Sequence, residues 1–310
     1  MSNDLLEAPA PSPSGKDPAL ADRRTMIQAS ARDTLKRRRG VALAIRILFG
    51  ACMVLTLVPL VFLVSYVVKR GIGAMSVAFF THIPTPEGIS GGGISNAIVG
   101  SLIINGLALA IAMPIGLLVA LFLIERRGPI ANAIRFGADI LSGLPSILIG
   151  LFAYSIIVVH THFSAYSASV ALAVLMLPIM IRGDEEAMRT IPSELWEAGL
   201  ALGARQSRVV RSVIVRGAIP GLVTANLLAL ARAVGETAPL LFTTIGSSIF
   251  SLSLNQPMNA IPIVIYQDGT TAFTQLQLDA WGAAFVLMVG VLVLSIIGRI
   301  FAARLTRKSR

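Results

Sequence analysis

Residues 183–220 read GDEEAMRTIPSELWEAGLALGARQSRVVRSVIVRGAIP and separate two apolar stretches. Within this segment Ser193 is a predicted helix N-cap, Glu194 and Glu197 fall in the first turn, and Gly203 is predicted to end the helix. A second helical stretch follows, with arginines on its polar face: Arg205, Arg208, Arg211 and Arg216. A short amphipathic helix in this position predicts either docking into a partner's groove or binding flat on lipid headgroups, and the residues leave both open.

The composition indicates a membrane protein. Of 310 residues, 55% are hydrophobic and 14% are charged, whereas soluble domains carry about 25% charged residues. This excludes an ordinary soluble enzyme and a disordered chain. A helix that crosses a bilayer needs about 20 mostly apolar residues. Six stretches meet this condition: about 43–67, 95–123, 135–159, 165–182, 221–244 and 279–302. The predicted fold class is an all-α membrane protein with six transmembrane helices.

The positions of the basic residues predict the orientation. Of the 26 Lys and Arg residues, 23 lie in four segments on one side of the predicted spans: 1–46, 125–135, 182–216 and 299–310. Two others, Lys69 and Arg70, lie in the loop after the first span. Short loops rich in Lys and Arg stay in the cytoplasm, so both termini are expected there. The net charge of +10 is therefore interpreted as a topology signal rather than as a sign of nucleic-acid binding.

The predicted organisation is a polar cytoplasmic tail over 1–40, a permease domain over 41–304 and a short cytoplasmic tail over 305–310. The first tail is interpreted as a flexible segment with a positive anchor, and a regulatory or anionic-lipid contact is the alternative. One cysteine and three scattered histidines predict neither a disulfide nor a metal site. The polar segment 245–278 is expected to pack over the outer mouth of the bundle or to meet a partner.

Two charges fall inside the fifth predicted span. Arg232 and Glu236 are four residues apart, so they share one helix face and are expected near the middle of the bilayer. Each unpaired charge there costs about 2.5–3.5 kcal/mol, which predicts that the face points into the bundle or a water-filled path. A purely structural ion pair is one interpretation. The other is a binding site for a passing anion, since the planar fork of arginine suits an oxyanion.

Arg182 is a second candidate for the anion path. It lies at the inner end of the fourth predicted span, and acidic residues follow it: Asp184, Glu185 and Glu186. A positive anchor at the membrane surface is the equally acceptable alternative.

The segment Glu197-Ala198-Gly199, followed after three residues by Gly203, resembles the EAA loop of ABC importer permeases. In that family the loop docks into the nucleotide-binding ATPase. The resemblance therefore implies that Glu194, Glu197, Ala198, Gly199 and Gly203 couple this chain to an ATPase. Gly199 stands where the family usually has alanine.

Two longer segments resemble the permeases of phosphate-specific ABC importers: LPIMIRGDEEAMRTIPSELWEAGLALGA at 177–204 and ALARAVGETAPLLFT at 229–243. The resemblance covers roughly 93–245, and GGGISNAIVGSL at 91–102 favours one of that importer's two paralogous permeases. The paralogous subunit, and permeases for sulfate or molybdate, are the alternatives. The resemblance implies a type I importer (MetI-like) fold and a role in phosphate translocation for Arg182, Arg232 and Glu236.

The same resemblance implies three partners in the cell inner membrane and around it: a second related permease, a dimer of ATPase subunits and an external phosphate-binding protein. The chain contains no G-x-x-x-x-G-K-[ST] sequence, so it is expected to be a transport subunit without a cofactor and not an enzyme. A secondary transporter would show half-repeats or broken helices, and an intramembrane enzyme would show a nucleophile–base pair or metal ligands. Neither pattern is predicted.

Overall fold

The computed structural model describes residues 18–86, 89 and 91–308. Within these ranges the regular structure is helical, and the chain divides into two compact units, the first ending at Ser65 and the second beginning at Tyr66. The α-helices are α1 Pro18–Gly71, α2 Val77–Thr81, α3 Ser95–Glu125, α4 Pro129–Gly143, α5 Ser146–Ile156, α6 Ala165–Arg189, α7 Ser193–Ala201, α8 Gln206–Val209, α9 Arg216–Val234, α10 Ala238–Thr243, α11 Ile261–Gly269 and α12 Thr274–Lys308.

The third predicted span is a bent pair of helices, not one helix. In the described residues five helices are long and apolar enough to cross a membrane, and the count reaches six if Pro129–Gly143 and Ser146–His160 form one span bent by 106°. The bend lies at Leu144, whose backbone is extended (φ −71°, ψ 137°). Pro145 causes it, because the proline ring disfavours the helical conformation at the residue before it.

The fifth predicted span, 221–244, has both ends wrong. Helix α8 begins at Gln206 and continues through a π-helical turn, Val210–Val215, into α9, which ends at Val234. The arginine-rich stretch belongs to this long helix because its apolar side chains are buried: Val209, Val210 and Ile214. The predicted loop 183–220 is correspondingly shorter, since its first residues belong to α6 and its last residues to α8 and α9.

The first unit contains most of α1. This helix begins at Pro18, so residues 18–40 of the predicted tail are helical, and residues 1–17 lie outside the described residues. The apolar window of the span Arg38–Ala74 has 0% of its residues buried within the chain. A helix with this exposed apolar surface suits a hydrocarbon environment, where all its backbone groups are satisfied internally.

Helix α6 is the interior helix of the second unit. In its apolar window 67% of the residues are buried, more than in any other described span. Small residues on α3 allow the close approach: Ala108, Ala112 and Gly116. At Gly116, an added Cβ would lie 3.0 Å from the Cβ of Met180 on α6. Without a hydrophobic driving force between membrane helices, such small residues let backbones pack closely.

Small residues also set the register of α6 against α9. A Cβ at Gly183 would lie 2.6 Å from the Cβ of Ala225, and a Cβ at Gly221 would lie 2.7 Å from the Cβ of Ala187. From the Gly221–Ala187 contact to the Ala225–Gly183 contact, the chain advances four residues on α9 and goes back four residues on α6. The two helices are therefore antiparallel.

The segment 245–278 packs on the N-terminal end of α6. The amides of Ala165 and Tyr166 donate to the carbonyls of Gln256 and Leu254, each at 3.0 Å. These bonds favour the first of the two interpretations given for this segment, that it covers the mouth of the bundle.

We expect Gly221→Ala to destabilise the fold by about 1–3 kcal/mol, the usual cost of overpacking, because its Cβ would collide with Ala187. The measurement is the thermal unfolding midpoint of the detergent-purified chain. Gly106→Ala is the matched control, since nothing lies within 4 Å of its added Cβ, and it should be neutral or stabilising by up to about 1 kcal/mol. Equal midpoints for both variants would contradict the α6–α9 contact.

Candidate functional site

Arg232 and Glu236 flank a break between two helices. Arg232 lies in the last turn of α9, which ends at Val234, and α10 begins at Ala238. The Nε atom of Arg232 is 3.7 Å from Oε1 of Glu236. The prediction that both lie on one face of a continuous helix is therefore wrong. Gly235 ends α9 and proline follows at the start of α10, a combination that interrupts a helix.

The depth of Arg232 follows from the helix register. Since Ala225 faces Gly183, moving seven residues along α9 and seven back along α6 brings Arg232 level with Met176, near the middle of α6. The Arg232 side chain is 58% exposed, whereas that of Glu236 is 19% exposed. A cation in the last turn of a helix is also stabilised by the helix dipole. An accessible guanidinium, loosely paired, thus lies at the level of mid-α6.

A second charged group has Glu185 at its centre. This carboxylate is 4% exposed, and its Oε1 accepts hydrogen bonds from Nε of Arg135 at 2.8 Å and Nη2 of Arg189 at 2.7 Å. The guanidinium of Arg182 lies 3.6 Å from Oε2. Arg135 also donates to the carbonyl of Leu123 at 2.8 Å. The network therefore ties the middle of α4 to the C-terminal ends of α3 and α6.

Arg182 points toward α4. Its Nε donates to Oδ1 of Asp139 at 2.9 Å and its Nη2 to Oδ2 of the same carboxylate, so the contact is bidentate. The Nη2 group also donates to the carbonyl of Arg135 at 3.2 Å. With 36% of its side chain exposed, Arg182 belongs to the network and still reaches solvent.

The acidic residues after Arg182 have different surroundings. Asp184 is fully buried between α6 and α9, where Nδ2 of Asn226 donates to its Oδ1 at 2.7 Å. Glu186 is exposed. The sequence prediction missed Asp139 and Arg135 as partners of Arg182 and Glu185. Arg135 and Asp139 are four residues apart on α4, the same spacing of opposite charges that identified Arg232 and Glu236 as candidates in the sequence.

Helix α7 has the predicted position and end. It spans Ser193–Ala201, and Gly203 has φ +76°, a conformation that favours glycine. Ser193 is not the N-cap, because Pro192 precedes the helix and no side chain caps it. The exposed surface carries the predicted coupling residues Glu194, Glu197 and Ala198. Leu202, 88% exposed, adds an apolar side chain.

The opposite side of α7 is held against the long helix that follows. A Cβ at Gly199 would lie 2.9 Å from Cγ2 of Val209, and Val209 is buried. Trp196 packs against a buried cluster that includes Met188 and Ile214. Gly199, where alanine is usual, thus permits a close contact. In the described residues no group of three or more His, Cys, Asp or Glu side chains is placed to hold a metal ion.

Comparison with known proteins gives the class. The profile of the family "Binding-protein-dependent transport system inner membrane component" matches residues 112–310. The fold is similar to that of the methionine ABC transporter MetNI in an inward-facing form, with TM-score 0.58 and 23% identity over 69% of this chain and 96% of that chain. An amino acid ABC transporter matches with TM-score 0.53 and 18% identity, covering 68% and 92% of the two chains.

Curated relatives are closer in sequence. The phosphate transport system permease protein PstA of Yersinia pestis is 35% identical over 283 residues, 90% of this chain and 96% of the relative. The proteins of the same name from Xylella fastidiosa and Haemophilus influenzae are 39% and 40% identical, each covering 76% of this chain and 84% of the relative.

The fold is that of an ABC importer permease, an inner-membrane transport subunit and not an enzyme. The chain belongs to the family of binding-protein-dependent transport system inner membrane components. This assignment excludes the secondary transporter and the intramembrane enzyme. The expectation that broken helices would be absent is nevertheless wrong, since the chain breaks at Leu144 and again after Val234.

We expect Glu185→Gln to destabilise the protein by about 3 kcal/mol, because it removes the buried negative charge that compensates the surrounding arginines. This is the low end of the cost of breaking a buried pair, since the amide oxygen can still accept one hydrogen bond. The measurement is the thermal unfolding midpoint in detergent. Glu186→Gln, one residue away and exposed, should change the free energy of unfolding by no more than about 0.5 kcal/mol and leave the midpoint close to that of wild type. If Glu185→Gln were equally neutral, the network would not stabilise the bundle.

Proposed function

We propose that this chain is the permease subunit of an ATP-driven ABC importer for inorganic phosphate and forms half of the translocation path. Its relatives of 35–40% identity carry the name phosphate transport system permease protein PstA, which supports phosphate as the substrate. A paralogous PstC-type role, or transport of sulfate or molybdate, is not favoured by these relatives. The permease domain is assigned to 41–304, with tails on either side.

The proposed assembly contains a second, PstC-like permease, a dimer of PstB-like ATPase subunits and an external PstS-like phosphate-binding protein. The distribution of basic residues supports both termini in the cytoplasm. In this orientation α7 lies on the ATPase side. Its exposed residues Glu194, Glu197 and Ala198, together with Leu202 directly after the helix, form the docking surface, with Gly199 and Gly203 fixing its shape.

The observation that carries the proposal is the state of Arg232. Its guanidinium is mostly exposed, lies level with the middle of α6 and has a carboxylate 3.7 Å away, which is too long for a strong charge-assisted hydrogen bond. Phosphate can therefore accept hydrogen bonds from the free N–H groups. Glu236 keeps the site partly neutral, so that the anion binds weakly enough to leave, as transport requires.

Arg182 provides a second position for the anion. By the helix register it lies six residues further along α6 than the level of Arg232, or about 9 Å at 1.5 Å per residue. Asp139 holds its fork bidentately, so an arriving phosphate competes with that carboxylate. We propose that the anion passes from Arg232 to Arg182 on its way to the cytoplasm.

The energy reaches Arg232 through a single long helix. Val209 of α8 packs against Gly199 of α7, and α8 continues through the π-helical turn into α9, which carries Arg232 in its last turn. A movement of α7 driven by the ATPase is transmitted along this helix. The chain itself binds no nucleotide in this mechanism.

Arg232→Gln should lower phosphate uptake about 10- to 100-fold, the loss expected for a hydrogen bond between a charged donor and an anion. The measurement is uptake of radiolabelled phosphate by cells that lack the chromosomal copy of this chain. Arg216→Gln is the matched control, an exposed arginine at the first residue of α9, and should support normal uptake. Normal uptake by Arg232→Gln, at equal membrane abundance, would remove Arg232 from the path.

Leu202→Asp should abolish copurification of the ATPase with the permease, because it places a charge on the exposed apolar part of the docking surface. The side chain is 88% exposed, so the fold of the chain should not change. Leu252→Asp, an exposed position in the segment 245–278, is the control and should retain the ATPase. Docking through α7 would be refuted by an ATPase yield equal to that of the control.

A further inference from the structure

A cavity of about 600 Å³ lies beside the start of α7, between the ends of α3 and α6. Three arginines line it, Arg127, Arg135 and Arg189, and no aspartate or glutamate does. Apolar side chains form much of the remaining wall, among them Leu123, Ile124 and Ile191. The cavity thus combines a cationic part with an apolar part.

The charge balance of the cavity is positive. Glu185 lies behind the wall and accepts from Arg135 and Arg189, so one negative charge offsets three positive ones. Arg127 has no hydrogen bond or ion pair within the part of the chain that the structure describes. Two nearby carboxylates in the sequence, Glu125 and Glu194, are exposed and do not line the cavity.

Two helices begin at the wall. Helix α4 starts at Pro129 after Gly128, and α7 starts at Ser193 after Pro192, and neither has a side chain that caps it. Gly128 and Ser193 both line the cavity. The first N–H groups of a helix have no partner within the helix, and together with the helix dipole they favour an anion.

We propose that this cavity binds a phosphate group, which is supplied either by the headgroup of an anionic phospholipid or by inorganic phosphate. The apolar wall and the position at the end of the bundle that the basic residues assign to the cytoplasm suit a lipid, since basic pockets between helices on that side bind anionic headgroups. The bound group bridges Arg127 and the start of α7, and it holds this helix against α3 and α6. This inference does not depend on the identity of the transported ion.

Trp196 lines the cavity and reports its occupancy. Trp281 is the other tryptophan in the chain, so Trp281→Phe leaves Trp196 as the sole indole. The experiment titrates the full chain with this substitution, in neutral detergent, with short-chain phosphatidylglycerol, short-chain phosphatidylcholine or inorganic phosphate while its fluorescence is recorded. We expect a saturable change with phosphatidylglycerol and none with phosphatidylcholine. A saturable change with inorganic phosphate alone would also support the site and identify the free ion as its source.

The matched pair of variants is Arg127→Gln and Arg126→Gln. Arg126 is the adjacent exposed arginine and does not line the cavity. We expect Arg127→Gln to weaken binding about fivefold or more, since it removes a charged donor to the phosphate, and Arg126→Gln to leave binding unchanged. The proposal is overturned by the absence of a saturable response to both phosphatidylglycerol and phosphate, by saturable responses of equal size to the two lipids, or by equal effects of the two variants.

A second measurement does not need the tryptophan substitution. Phosphatidylglycerol that copurifies with the otherwise unchanged chain is extracted and counted by mass spectrometry for wild type, Arg127→Gln and Arg126→Gln. If the phosphate group comes from a lipid, the Arg127→Gln sample should retain less phosphatidylglycerol than the wild-type and Arg126→Gln samples. Equal retention in all three samples, together with no fluorescence response to inorganic phosphate, would overturn the proposal.

Discussion

The close contact between α6 and α9 is the constraint on which the rest of the second unit depends. Gly183 and Gly221 leave no room for a Cβ, because Ala225 and Ala187 lie 2.6 and 2.7 Å from where it would be. Within a bilayer the hydrophobic effect does not drive two helices together, so the van der Waals contact between closely packed backbones stabilises the pair. The same contact fixes the register, which buries Asp184 and brings the end of α9 level with the middle of α6. The position of Arg232 is therefore a consequence of glycine and alanine at the interface.

A charged side chain inside a bundle of low dielectric constant needs a compensating charge. The network around Glu185 and the pair of Arg232 with Glu236 differ in how complete this compensation is. Glu185 is 4% exposed and has arginines on both oxygens, so its network is closed and serves to join α3, α4 and α6. Arg232 is 58% exposed and has one carboxylate at 3.7 Å, so most of its N–H groups are available. Arg182 is intermediate, because Asp139 binds its fork while 36% of the side chain stays exposed. This difference in compensation supports a structural role for Glu185 and the proposed binding role for Arg232.

The sequence predicts features with a strong local cause and misses those that depend on partners. Gly203 ends α7 as predicted, because a left-handed residue at a helix end strongly favours glycine. The start of the fifth span is missed, since the arginines after Gln206 lower the local hydropathy although Val209 and Ile214 are buried. Pro145 is underestimated as a breaker, because a proline within a span can be either a kink or a break. Arg182 and Arg189 lie three and four residues from Glu185 on α6 itself, so local spacing is enough to place these two arginines near the carboxylate. The contact of Glu185 with Arg135 needs the tertiary packing of α4 on α6, which no local pattern contains.

The break after Val234 has a mechanical consequence for the proposed transport. Arg232 belongs to α9, which is continuous through the π-helical turn with the helix that packs on α7. Glu236 lies beyond the end of α9, next to α10, and α10 is held on α5, where a Cβ at Gly150 would lie 2.8 Å from Pro239. The two residues of this ion pair are thus attached to different helices. A shift of α9 against α10 changes the distance of 3.7 Å between them, and with it the share of the guanidinium charge that a phosphate ion meets. In the proposed mechanism, the helix break lets a movement driven by the ATPase change the affinity of Arg232 for the anion.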